Sequence, residues 1–138
     1  MRPTLGEMFM DIAKACSRRA TCDRKHVGCV LARSGHVLST GYNGSISGST
    51  HCDEVGHFMV DGHCKRTIHA EANAVIQAAK FGISVDGASA YITCSPCYDC
   101  LKMLLNAGIQ EVYFLEEYGD TSLQKEVCKT HGVTFEKV

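Results

Sequence analysis

The chain has 138 residues, 45% hydrophobic and 21% charged, with a formal net charge of −1 from 14 basic and 15 acidic side chains. This is ordinary globular composition, enough for one domain, residues 1–138, with a sizeable core. It excludes a broad basic field for gripping nucleic-acid backbones and an apolar run approaching the roughly 18 residues of a membrane span, and the polar start after Met1 makes no signal peptide the expectation.

Thr4 reads as an N-cap with Glu7 three residues on as its capping-box partner. A helix runs from Leu5 to about residue 20, with Leu5, Met8, Phe9, Ile12, Ala13 and Cys16 along one face. Strands are expected over 27–32 and 37–42, and the Ser34-Gly35 between them predicts an antiparallel hairpin. Asn43-Gly44 and the Ser/Gly run behind it open a long irregular segment, 43 to about 66. Loops of that length are uncommon in a compact domain without a task.

A second helix is expected from His69 to Phe81, with Ala, Val and Ile on its inner side and Gly82 as its stop. Residues 88–93 read as a strand, and Pro96 as the first turn of the next helix, where a missing N–H costs nothing. That helix runs through Leu101, Met103, Leu104 and Leu105 to Gly108. A strand over 111–115 follows, then a helix over 121–131 with Leu123 and Val127 inside, and a last short strand over 133–136. The order predicts an α/β fold of three layers, α/β/α, with a mixed five-stranded sheet and helices on both faces. Ligands of open α/β sheets sit at such strand ends.

Nine cysteines is a high count. In the reducing cytoplasm expected for this chain, metal binding is a better use for several of them than disulfides. Cys16, Cys29 and Cys128 lie on apolar faces and read as core.

Two stretches carry chemistry. His69-Ala70-Glu71 opens one helix, and Pro96-Cys97-Tyr98-Asp99-Cys100 opens the next. His69, Cys97 and Cys100 are three soft ligands, and three protein ligands with one open position make a catalytic zinc site rather than a structural one. Cys97 and Cys100 are spaced to share one side of a helical first turn, where the dipole favours thiolates. Zinc brings the pKa of a bound water down to about 7. Glu71, two residues from His69, is placed to take that water's proton and later protonate departing ammonia. A His-x-Glu followed by Pro-Cys-x-x-Cys is the signature of zinc deaminases acting on nucleobases. The competing reading, a structural zinc knuckle, needs a fourth ligand, for which Cys94 is nearby.

With these motifs, with Gly41-Tyr42-Asn43-Gly44, and with the runs 62–75, 91–100 and 107–109, the chain resembles the deoxycytidylate (dCMP) deaminases of the cytidine deaminase superfamily over nearly its whole length. Free cytidine deaminases place Cys before Ala-Glu, and tRNA adenosine deaminases usually follow Pro-Cys differently from the Tyr98-Asp99-Cys100-Leu101 found here. The resemblance implies a cytidine-deaminase fold, hydrolysis of dCMP to dUMP and ammonia in the supply of dTMP, and a homo-oligomer, commonly a hexamer. It implies that Glu71 is catalytic, that Asn43 contacts the deoxyribose, that Ala70 and Ser95 line the substrate, and that Arg24, Lys25 and Tyr118 supply a phosphate site. It further implies activation by dCTP, with Mg2+, and inhibition by dTTP. Ile46 stands where the family loop usually has proline, which bears on the effector site and on the choice between dCMP and dCTP.

The resemblance also implies a second, structural zinc, for which Cys22, Cys52, His57 and Cys64 remain as unspent ligands, with His51 and His63 as alternatives to His57. A closed four-ligand site would pin a loop too poor in apolar residues to fold alone. The alternatives to a dCMP deaminase are a dCTP or dual-specificity deaminase, a tRNA adenosine deaminase and a non-catalytic zinc-binding module. The near-neutral charge counts against the last two. No membrane or nucleic-acid partner is expected.

Overall fold

The computed structural model describes residues 1–138. In chain order it contains α1 (Leu5–Ser17), β1 (Gly28–Arg33), β2 (His36–Tyr42), β3 (Gly44–Ser45), α2 (Cys52–Val55), β4 (Met59–Val60), β5 (His63–Cys64), β6 (Thr67–Ile68), α3 (Ala70–Lys80), β7 (Ser89–Cys94), α4 (Tyr98–Asn106), β8 (Glu111–Glu116), α5 (Ser122–His131) and β9 (Thr134–Lys137). Five strands form one mixed sheet in the order β2-β1-β7-β8-β9. β1 runs antiparallel to β2 and β7, and β7, β8 and β9 run parallel. The expected layers are present: α1 covers one face, through Phe9, Met10 and Ala13 against Val30 and Ala32. Helices α3, α4 and α5 cover the other, where Ala74, Leu101, Leu104 and Cys128 meet Leu31, Ile92 and Val112.

This topology collects one end of the sheet. Gly28 pairs with Tyr42, so the start of β1 lies beside the end of β2. β1 is antiparallel to β7, so the same end carries the exits of β7 and β8. The segments 22–27, 43–69, 95–97 and 117–121 therefore all emerge there.

Two glycines set how closely the helices approach. A Cβ on Gly28 would lie 1.9 Å from the Ala13 carbonyl oxygen, and one on Gly41 would lie 2.3 Å from that of Ala70. These contacts also rotate the helices away from the expected faces. α1 rests on Ala13, Met10 and Phe9, which leaves Leu5 and Met8 exposed. α3 rests on its small residues Ala70, Ala74 and Ala78, which turns Ile76 outward. In α5 the inner face is Gln124 and Cys128, and Leu123 is exposed. The buried Gln124 is satisfied because its Nε2 donates to the Pro96 carbonyl at 3.2 Å, as buried amides require.

The capping box holds, with the Glu7 N–H donating to Thr4 Oγ1 at 3.1 Å. The Ser34-Gly35 turn has φ of 54° and 78°, the two positive values of a type I′ hairpin. Asp61-Gly62 repeats this with 49° and 79° and folds β4 onto β5. Residues 43–66 are thus less irregular than expected, and the Asp-Gly pair is the hairpin signal that marks the spot. Pro96 precedes the N-cap of α4 rather than occupying its first turn, since Cys97 is the N-cap and α4 starts at Tyr98. No helix is long and apolar enough to cross a membrane.

Candidate active site

His69 and Cys97 occupy equivalent places in the fold. Each is the N-cap of a helix, α3 or α4, with extended backbone (ψ 152° and 166°) and no side-chain capping bond. An N-cap residue projects beside the free N–H groups of its helix. Its side chain, not spent on capping, is available to a ligand. Cys100 lies one turn into α4, buried below Cys97. Neighbouring helix starts thus bring the three donors together. His69 Nδ1 is 3.3 Å from Cys100 Sγ and 3.6 Å from Cys97 Sγ, and all three donor atoms lie within 4.8 Å of one another. Tetrahedral ligands at about 2.3 Å (sulfur) and about 2.0 Å (nitrogen) from one zinc stand roughly 3.5–3.8 Å apart, so the set fits that ion with a fourth position open. Cys94 is buried in β7 and outside this group, so the fourth ligand of a structural knuckle is missing.

The electrostatics suit a metal and a proton carrier. The Cys97 thiol is brought down to about 4 by hydrogen bonds with Cys100 and His69. Cys100 is pushed up by its hydrogen bond to Cys97 and by burial. His69 is raised, first by its hydrogen bond to Cys97. Glu71, the second residue of α3 and buried, is lifted by that burial to about 7 against the pull of its own backbone N–H and of His69. A carboxyl poised near neutrality can both accept and return a proton.

The remaining expected residues surround this centre in different ways. Ala70 is wholly buried at the first position of α3. Asn43 is buried and its amide is committed to backbone, with Oδ1 accepting from the Val27 N–H at 2.8 Å and Nδ2 donating to the Lys25 carbonyl at 2.7 Å. Ser95 Oγ accepts the Tyr118 N–H at 2.8 Å, fixing the loop after β8. Lys25 and Tyr118 meet, the Nζ lying 3.3 Å from the ring centroid. Arg24 does not share that contact: its Nη1 donates to Met59 Sδ at 3.1 Å.

Cys22, Cys52, His57 and Cys64 form a second cluster, with their donor atoms within 4.8 Å of one another. Cys22 Sγ is 3.3 Å from His57 Nδ1, and Cys52 Sγ is 3.6 Å from Cys64 Sγ. Burial works to raise Cys64, but hydrogen bonds from the Arg66 and Phe58 backbone, and those with His57 and Cys52, outweigh it and bring the thiol to about 6. Burial and the hydrogen bond with Cys22 push Cys52 up to about 12. Four soft donors this close together can hold one metal ion with no coordination position left open. Of the alternatives to His57, His51 faces Glu54 at 3.7 Å and His63 lies exposed in β5. Sequence reasoning missed Asp23, whose Oδ1 lies 3.1 Å from His57 Nε2, and Asn73, whose Nδ2 donates to the Tyr42 carbonyl at 2.8 Å. Asn73 was readable as the polar position one turn after His69. For Asp23 the sequence held no signal beyond its place next to Cys22.

A family model described as the cytidine and deoxycytidylate deaminase zinc-binding region matches residues 3–116. The chain is 42% identical over 137 residues to ComE operon protein 2 of Bacillus subtilis, covering 99% of this chain and 72% of that one. It is 31% identical over 147 residues to the deoxycytidylate deaminase of enterobacteria phage T4, covering 79% and 76%. Among solved structures, the dCMP deaminase of cyanophage S-TIM5 in complex with dCMP and dUMP superposes with a TM-score of 0.85 at 36% identity, covering 100% of this chain and 99% of that one.

Proposed function

The chain belongs to the cytidine and deoxycytidylate deaminase family, and from that premise we propose that it is a zinc-dependent dCMP deaminase, hydrolysing dCMP to dUMP and ammonia. The whole of residues 1–138 acts as one deaminase unit. The observation that carries the reading is the buried Glu71, lifted to about 7 beside three soft donors whose spacing fits one zinc.

His69, Cys97 and Cys100 hold the catalytic zinc. Bound there, zinc supplies the Lewis acidity that makes a neighbouring water a nucleophile at neutral pH. Glu71 accepts one proton of the water attacking C4 of the base and delivers it to the ring nitrogen, then takes the proton of the new C4 hydroxyl as the carbonyl forms and passes it to the amino group, which leaves as ammonia. Burial keeps bulk water from competing for that proton. Ala70 and Ser95 line the base pocket. Asn43 keeps one amide hydrogen for the deoxyribose while holding the Lys25 segment. Lys25 and Tyr118, one half-buried and one exposed at the rim, receive the phosphate, with Arg24 reaching it only by leaving Met59.

Cys22, Cys52, His57 and Cys64 hold a second, structural zinc that pins residues 43–66 beside the active site. A cavity of about 730 Å³ behind this loop, lined by Arg18, Arg19, Ser45 and Ile46 among others, is the place for a dCTP (with Mg2+) or dTTP effector. The exposed Ile76, Phe81 and Ile83 fit burial between copies in a homo-oligomer, a hexamer by family analogy. Cysteines used as zinc ligands rather than as disulfides suit a reducing cytoplasm.

The test is an ultraviolet deamination assay with dCMP, dCTP, deoxycytidine and CMP side by side, with and without dTTP and with dCTP plus Mg2+. Turnover of dCMP in preference to the others is expected. Activity on deoxycytidine but not dCMP would overturn the reading.

A further inference from the structure

We propose that Asp23 is the positioning residue for His57, so that consecutive residues Cys22 and Asp23 clamp the two ring nitrogens of one imidazole. This rests on the proposal that Cys22, Cys52, His57 and Cys64 hold zinc.

The geometry is two-sided. Cys22 Sγ lies 3.3 Å from Nδ1, and Asp23 Oδ1 lies 3.1 Å from Nε2. A neutral imidazole carries one proton, and whichever nitrogen keeps it cannot ligate. A carboxylate at Nε2 holds the proton there and leaves the Nδ1 lone pair facing the three sulfurs. Metal-bound histidines use such a partner, and its removal typically costs 10–100-fold in affinity. His57 needs this help more than the cysteines do. Cys22 and Cys52 are buried, whereas His57 sits on an exposed stretch between α2 and β4, with its side chain 29% exposed. Among ion pairs, Asp23 has no partner other than His57. The clamp has reach as well. Arg24, the next residue, contacts Met59, and Lys25 after it lies over Tyr118. Residues 22–25 thus lace the metal loop to the rim of the active site.

Were this only a surface ion pair, it would add little to stability and leave metal binding alone. The experiment measures zinc release from the purified full chain into a chromogenic chelator. The parent should release two zinc ions per chain in two phases, one of which disappears in Cys52→Ser. Asp23→Ala should speed that same phase tenfold or more, and Asp23→Asn, which still accepts a hydrogen bond, should fall between. In a His57→Cys background, where no ring needs orienting, Asp23→Ala should change nothing. One zinc per chain in the parent overturns the four-ligand site and this role with it. Two in the parent with unchanged release from Asp23→Ala overturns the role of Asp23 alone. An effect that persists in the His57→Cys background shows that Asp23 acts elsewhere, which also overturns it.

Discussion

The ammonium of Lys25 sits over the ring of Tyr118, 3.3 Å from its centroid, and joins the segment before β1 to the loop after β8. The two ends of this contact are fixed independently. Asn43 Nδ2 holds the Lys25 carbonyl, and Ser95 Oγ holds the Tyr118 N–H. A phosphate would thus meet a cation already in place.

Replacing Lys25 by Ala should raise KM for dCMP with little change in kcat. A hydrogen bond to a charged group is worth about 1.5–3 kcal/mol, so kcat/KM should fall roughly tenfold to a hundredfold. Deoxycytidine, which has no phosphate, is the control. Equal losses on both substrates would remove Lys25 from phosphate binding.

Glu71→Gln should keep its zinc and lose turnover, by roughly 10²–10⁴-fold for a missing proton carrier. Zinc content and initial rates on the same sample decide the matter. Undiminished deamination would show that Glu71 carries no proton.

The same carboxyl gives the zinc-free protein a pH-dependent stability. Glu71 ionises near 4.5 in an unfolded chain and near 7 when buried. Between those values the unfolded chain gives up a proton that the folded protein keeps. The stability present below about pH 4.5 is therefore lost as pH rises through 7, to a limit of about 3 kcal/mol. Urea unfolding of zinc-free parent and Glu71→Gln should nearly coincide at pH 4.5, with the variant more stable at pH 8. A gap of equal size at both pH values would show that Glu71 is not the cause.

Gly41→Ala should damage both fold and site. Its Cβ would meet the Ala70 oxygen at 2.3 Å and the Ala74 nitrogen at 2.5 Å, which is backbone that cannot rotate away. Pushing α3 off β2 costs about 1–3 kcal/mol and displaces His69 and Glu71 with it. A lowered melting temperature with a lowered kcat is expected. An unchanged kcat would mean that α3 absorbs the strain away from its N-terminus.

The residues that carry the chemistry were legible because their spacing is local. His69 lies two residues from Glu71, and Cys97 and Cys100 fall within one helical turn, so the chain keeps each pair close and puts the two cysteines on a shared side. The strand and helix order was legible for the same reason, as were the Thr4–Glu7 box and the Ser34-Gly35 turn. Sequence alone thus determined an α/β chain with two helix starts bearing zinc-type ligands and one nearby carboxylate. Which side of each helix is buried was settled by packing across the sheet. Gly28 and Gly41 admit helix backbone so closely that Ala13 and Ala74 face inward, leaving Leu5 and Ile76 exposed. Gln124 is buried where Leu123 was expected, because the Pro96 carbonyl needs a donor. The clamp of Cys22 and Asp23 on His57, and of Lys25 on Tyr118, joins segments distant in the chain. Only the tertiary structure decided those contacts, because they depend on which strand ends the antiparallel β1 brings to one edge of the sheet.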